Sequence, residues 1–271
     1  MDVEFAAFVR LAPSVGDHAM ALYFVSLATL LLLTGLLWWL SRSWMPPREP
    51  GIAPTPMLLM LRLSFGFGAI VLGAWVFAEI AEAMHAGAAL GAADQALADA
   101  FRTGVPPAAL QVFAMLTRLA DTATLTALAI AVSAALVATG RRWLAFGWLA
   151  AVVGNALLNT TLKQIFERVR PVHDDGLVLA QGFSFPSGHS SGSVVVYGML
   201  AYLAMRFVPR RWHLALVLAA VALAFSIGVS RMFLRVHFAS DVVAGFASGS
   251  AWLAICIGSI ELTRWYARRS A

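Results

Sequence analysis

Apolar residues in this chain come in long unbroken runs, not in the alternating or one-face patterns of a soluble core, and short clusters of Pro, Gly and Arg divide them. A helix needs roughly 20 apolar residues to cross a hydrocarbon core. On that measure the sequence predicts seven spans, at about 20–41, 57–81, 113–138, 143–161, 190–208, 213–230 and 240–262. The first run, Met20 to Leu40, carries no charge. It is longer than a signal-peptide core, follows a segment bearing Asp2, Glu4, Arg10 and Asp17, and ends among Trp38, Trp39, Arg42 and Trp44. That ending resembles an interfacial anchor, so the run is expected to remain as a helix.

The interruptions differ in kind. Ser43 to Pro56 is Pro-rich, Met84 to Pro107 is small and acidic with amphipathic spacing, and Gly140-Arg141-Arg142 and Pro209-Arg210-Arg211 read as tight basic turns. Val172 to Phe185 is polar and bracketed by chemically distinctive residues. The expected fold is an all-α, polytopic transmembrane bundle. Its domains are an N-terminal segment 1–56 with the first span, a bundle of the other six over 57–262, and a basic tail 263–271.

Composition agrees: 61% hydrophobic and 12% charged residues with mean hydropathy +0.80 exclude an ordinary soluble domain. The net charge of +5 does not point to nucleic acid, because the basic residues sit at the ends of apolar runs and form no stripe. Seven spans put the termini on opposite sides. Arg42, Arg48, Arg62, Arg141, Arg142, Arg206, Arg210, Arg211, Arg264, Arg268 and Arg269 gather on one of them. The positive-inside rule makes that side cytoplasmic, with the N-terminus outside and the C-terminus inside. Cys256, the single cysteine, lies in an apolar run and supports neither an intrachain disulfide nor a cysteine metal site.

Three stretches carry the candidate chemistry: Lys163-x6-Arg170-Pro171, Pro186-Ser187-Gly188-His189, and Ser230-Arg231-x5-His237-x3-Asp241. The first two end one loop, and two spans joined by a tight turn separate the third from it, so all three emerge on one face. Phosphoryl transfer chiefly requires neutralising charge on the equatorial oxygens, which Arg and Lys can do without a metal. Lys163 and Arg170 are two turns apart if helical, and Arg231 adds a third cation. Ser187 and Gly188 precede a helix whose unpaired N–H groups suit an anion, with Ser187 also a natural N-cap. His237 and Asp241 are one helical turn apart, a spacing that lets the carboxylate take the Nδ1 proton and leaves Nε2 free.

These stretches resemble the three signature motifs of the type 2 phosphatidic acid phosphatase family, which shares its site pattern with vanadium-dependent haloperoxidases. The resemblance spans about Met57 to Leu262, which makes the first span an addition to the family's six-helix core. It implies that His237 is a nucleophile forming a phosphohistidine, Asp241 its orienter and His189 the acid for the departing alkoxide, with Lys163, Arg170, Ser187, Gly188 and Arg231 around the phosphate. No metal or other cofactor is expected, since the crowd of cations would repel a divalent ion.

The expected partners are the bilayer and a membrane lipid phosphate, not nucleic acid. The site is expected on the outer face of a bacterial inner membrane, where undecaprenyl diphosphate is the first substrate guess, ahead of phosphatidylglycerophosphate and phosphatidate. A haloperoxidase and a lipid phosphate transporter or flippase are the competing classes. Arg168 and Arg235 read as solvated charges, Arg118 with Asp121 as interfacial pairing, and Asn155 and Asn159 as inter-helix hydrogen bonding. His173, Asp174 and Asp175 read as loop residues. Gly245-x3-Gly249 reads as close packing within the bundle or in a homodimer.

Overall fold

In the computed structural model, residues 2–44, 56–86, 88–171 and 180–269 are described, and their regular structure is helical. The helices are α1 (Asp2–Asp17), α2 (Ala19–Trp44), α3 (Pro56–His85), α4 (Ala88–Gly104), α5 (Pro107–Thr117), α6 (Thr122–Ala138), α7 (Arg142–Phe166), α8 (Gly188–Ala204), α9 (His213–Phe233) and α10 (Ala239–Arg269). Each long apolar run becomes a helix because a helix pairs its own N–H and C=O groups, which lipid cannot do.

Five helices, α2, α3, α7, α9 and α10, are long and apolar enough to cross a membrane. The expected span at 113–138 is realised as α5 and α6, bent by 43° at a break around Asp121. The expected span at 190–208 is α8, whose 17 residues give a length of about 26 Å. That is short for a lipid-facing helix, but α8 lies against α7, α9 and α10, and much of it is buried. Outside the bundle, side chains such as Leu32 (74% exposed) and Trp143 (82% exposed) present an apolar surface, as an integral membrane protein requires. Helix α1 and the amphipathic α4, which are not among these spans, pack on each other.

The core forms in two zones. Trp148, Val195, Val196, Met199 and Leu203 fill the contact between α7 and α8, with the Trp148 indole donating to Ala129 O at 3.1 Å. Leu97, Phe101, Phe113, Val229 and Phe233 fill a second zone, which Ala19 and Tyr23 of α2 join. The α10–α8 contact is closer. A Cβ on Gly245 would lie 2.6 Å from Ser187 O, and one on Gly249 2.8 Å from Ser191 O. The glycine pair therefore serves intrachain packing.

The two ends of the bundle differ in charge chemistry. At one end Arg206 and Arg264 pair with Glu261, and Arg141 lies over the Phe207 ring. At the other, the C-terminal ends of α7 and α9 meet the N-terminal ends of α8 and α10. Helix α10 continues through residue 269. The loop residues His173, Asp174 and Asp175 lie outside the described residues.

Candidate active site

The chain turns sharply after α7. Glu167 caps that helix in the left-handed conformation (φ 44°), and the chain leaves it before Arg170 is reached. Lys163 and Arg170 therefore do not meet through a shared helical face, as their spacing predicted. They meet by closing on the same loop: Lys163 Nζ donates to Phe183 O and to Ser184 O (3.3 Å). Arg170 donates to Gln181 O (3.1 Å), Gly182 O (2.9 Å), Phe183 O (3.2 Å) and Val236 O (2.7 Å). Phe185, packed on Phe77 and Phe166, anchors that loop to α3 and α7.

The Pro186–His189 stretch is tied to α10 by Ser187 N donating to Asp241 O at 2.9 Å. Ser187 is the N-cap of α8: its hydroxyl oxygen accepts from Ser190 N (3.4 Å) and Ser190 Oγ (3.0 Å), leaving its own proton to donate. Asn159 donates to Pro186 O (3.5 Å) and Ser191 Oγ (3.3 Å), the inter-helix bonding expected of it. Gly188 faces the Asn159 side-chain oxygen, which a Cβ would approach to 3.0 Å.

His237 lies just before α10, not on it, so the one-turn spacing to Asp241 acts through a helix start. Asp241 is acidic in the first turn of α10, and its Oδ2 accepts from Phe238 N at 2.9 Å, a capping contact that turns the carboxylate back toward the chain. That places Oδ2 3.4 Å from His237 Nδ1. Ser184 Oγ donates to the same oxygen and stands 3.4 Å from Nδ1. On the far side of the ring, Arg170 lies 3.1 Å from Nε2. A guanidinium only donates, so Nε2 accepts and the proton is assigned to Nδ1. Burial, more than the nearby cations, holds the His237 pKa down to about 3. Burial likewise lowers that of Arg170.

Arg231 is 2% exposed and donates to Thr117 Oγ1 at 2.9 Å. Its backbone oxygen accepts from Val236 N and His237 N, so the same residue shapes the turn that presents the imidazole. Its guanidinium Nε is buried with no protein hydrogen-bond partner. His189 feels the charges of Arg231 and Arg170, and its Nε2 donates to Asp121 Oδ1 at 3.0 Å. Among the described residues, no group of three or more His, Cys, Asp or Glu side chains is placed to hold a metal.

Four residues at this site were not anticipated in these roles. Arg168 is not solvated: it is 12% exposed and donates to Asp241 Oδ1 (2.7 Å), Ser240 Oγ (2.7 Å) and Asp94 Oδ2 (2.8 Å). The chain bends there because α7 ends at Phe166, which brings the residue inward. Asp94 sits on α4, and burial pushes its carboxyl above the ordinary value while Ser240 and Arg168 pull it back. A signal was available, since Asp94 shares a face with the buried Leu97, Ala98 and Phe101, and an acid on an apolar face needs a partner. Asp121 pairs with His189, not with the Arg118 side chain. Ser184 had no sequence signal. Arg235 lies half-buried in the turn after α9, at φ 55°.

A polytopic helical bundle that gathers two His–Asp pairs with Lys163, Arg168, Arg170 and Arg231 at one end has the chemistry of a membrane-embedded hydrolase of phosphate esters. The chain belongs to the PAP2 superfamily, whose profile matches residues 144–265. It is 33% identical over 176 residues to phosphatidylglycerophosphatase B of Bacillus subtilis (strain 168), covering 64% of this chain and 85% of that one. It is also 34% identical over 113 residues to lipid A 1-phosphatase of Rhizobium johnstonii, covering 38% of this chain and 42% of that protein. The crystal structure of a transmembrane PAP2-type phosphatidylglycerolphosphate phosphatase from Bacillus subtilis superposes with a TM-score of 0.66 at 31% identity, over 70% of this chain and 94% of that one. The protein is thus a lipid phosphatase of the membrane.

Proposed function

We propose that this enzyme hydrolyses the terminal phosphate of a membrane lipid phosphate or diphosphate, without a metal, through a phosphohistidine on His237. The observation that carries the reading is the polarity of that imidazole. Nε2 accepts from Arg170 while Nδ1 faces Asp241 and Ser184. A phosphate in front of Nε2 would compete with the loop carbonyls for Arg170 and Lys163, and would meet Arg231, whose Nε has no protein partner. These cations take up charge that develops on the equatorial oxygens.

Nε2 attacks phosphorus, the bond to the bridging oxygen breaks, and His189 gives its proton to the departing oxygen, an alkoxide for a monoester or a lipid phosphate for a diphosphate. Water then attacks the phosphohistidine, His189 takes the proton from it, and inorganic phosphate leaves with the imidazole restored. Asp241 holds the Nδ1 proton throughout and balances the charge gained by the ring.

Phosphatidylglycerophosphate is the leading substrate, because the Bacillus subtilis phosphatase aligns over most of its own length. Undecaprenyl diphosphate and phosphatidate follow, with the outward orientation inferred from arginine distribution favouring the former. The test is phosphate release from these detergent-solubilised lipids in the presence of EDTA, with wild type beside His237→Ala. Chelator-resistant release that the substitution abolishes supports the mechanism and ranks the lipids. Full activity in the variant, or loss of activity on chelation, overturns it.

A further inference from the structure

We propose that Asp94 and Arg168 are positioning residues for this reaction, acting together on Asp241 and through it on the imidazole of His237. The proposal rests on His237 being the nucleophile. Asp94 lies outside residues 144–265, which match the family profile, on a helix that is not one of the candidate spans.

The two oxygens of Asp241 have separate duties. Oδ2 accepts from Phe238 N and Ser184 Oγ and faces His237, whereas Oδ1 accepts from Arg168 at 2.7 Å. Arg168 thereby fixes the rotation of the carboxylate plane. The guanidinium is clamped in turn. Its other nitrogen reaches Asp94 Oδ2 at 2.8 Å, its face lies 4.5 Å over the Phe238 ring, and both it and Asp94 hold Ser240. Asp94 is 5% exposed and Asp241 0%, so the acid–base–acid row is shielded from solvent and its charges act strongly on each other.

Electrostatics gives Asp94 its function. With Asp94 ionised, the Arg168 charge is divided between two carboxylates, and Asp241 remains a strong acceptor for the Nδ1 proton as the ring becomes cationic on phosphorylation. With Asp94 neutral, the whole charge falls on Asp241 and weakens that acceptance. The row is braced from the N-terminus, because α1 packs on α4 so closely that a Cβ on Gly16 would lie 2.5 Å from Ala100 O and one on Gly104 would collide with the Gly16 backbone.

The experiment is a double-mutant cycle on the full-length enzyme in detergent, with a short-chain phosphatidate as substrate. The proteins are wild type, Asp94→Asn, Asp241→Asn, the double variant and His237→Ala. Asp94→Asn should lower kcat about tenfold while KM stays within about threefold, the pattern of a misplaced catalytic group and not of a lost binding contact. In the Asp241→Asn background it should have no further effect, because it acts through Asp241. If Asp94→Asn is not monodisperse, Arg168→Lys, which keeps charge but cannot span both carboxylates, takes its place in the cycle. A kcat within threefold of wild type, or effects that multiply in the double variant, overturns the proposal. An active His237→Ala enzyme would instead sink the nucleophile reading, whatever Asp94 does.

Discussion

His189 Nε2 and Asp121 Oδ1 lie 3.0 Å apart, joining the start of α8 to the break between α5 and α6. The site therefore holds a second His–Asp pair beside His237 and Asp241. A carboxylate bonded to the ring orients it and stabilises its protonated form, which an acid must reach once per turnover. Asp121→Asn is expected to lower kcat on a lipid substrate about tenfold. With 4-nitrophenyl phosphate, whose leaving group needs no proton, the loss should be less than about threefold. Equal losses on both substrates would show that Asp121 serves the fold alone.

His237 governs a pH effect. Its pKa is lowered from 6.5 to about 3, first by burial. The folded state therefore binds fewer protons than the unfolded state between those values. The resulting stability is fully present above pH 6.5 and is lost as pH falls toward 3. Melting temperature should drop through this window in wild type and drop less steeply in His237→Gln. The His237 imidazole is also neutral well below pH 6, so an acid limb of kcat/KM near 6.5 would have to come from another group.

Arg170 both points at Nε2 and holds Gln181, Gly182 and Phe183 carbonyls. Lysine keeps the charge but not the fork. Arg170→Lys is expected to cost about a hundredfold in kcat and to weaken inhibition by inorganic phosphate, measured as a raised Ki. Unchanged phosphate inhibition would confine Arg170 to holding the loop.

Gly245 is where α10 meets the Ser187 backbone, with a Cβ 2.6 Å from Ser187 O and 2.8 Å from Ser190 Cβ. Gly245→Ala should therefore destabilise the protein by about 1–3 kcal/mol and displace the segment that carries His189, lowering activity as well as melting temperature. Gly35 has nothing within 4 Å of its Cβ position. Gly35→Ala should leave activity unchanged, and a comparable loss there would mean that packing is not the cause.

Much of this was legible in the sequence for local reasons. Apolar runs announce membrane helices because the requirement is length and composition alone, and the expected spans at 20–41 and 143–161 emerged within α2 and α7. The chemistry of Lys163, Arg170, Arg231, His189, His237 and Asp241 was visible because those side chains are costly in an apolar chain. The local geometry was less legible. Helical spacing suggested how Lys163 and Arg170 would meet, but α7 stops at Phe166 and the residues converge on loop carbonyls instead.

Run lengths thus announced a polytopic membrane protein, and residue chemistry singled out a set of side chains suited to phosphate, since both are properties of short stretches of chain. Whether Arg168 faces solvent or a carboxylate, and what His189 leans on, depend on contacts across long separations. Arg168 meets Asp94 and Asp241 over 74 and 73 positions, and His189 meets Asp121 over 68. No local pattern encodes such pairings, because they follow from how α4, α6, α7, α8 and α10 converge at one end of the bundle.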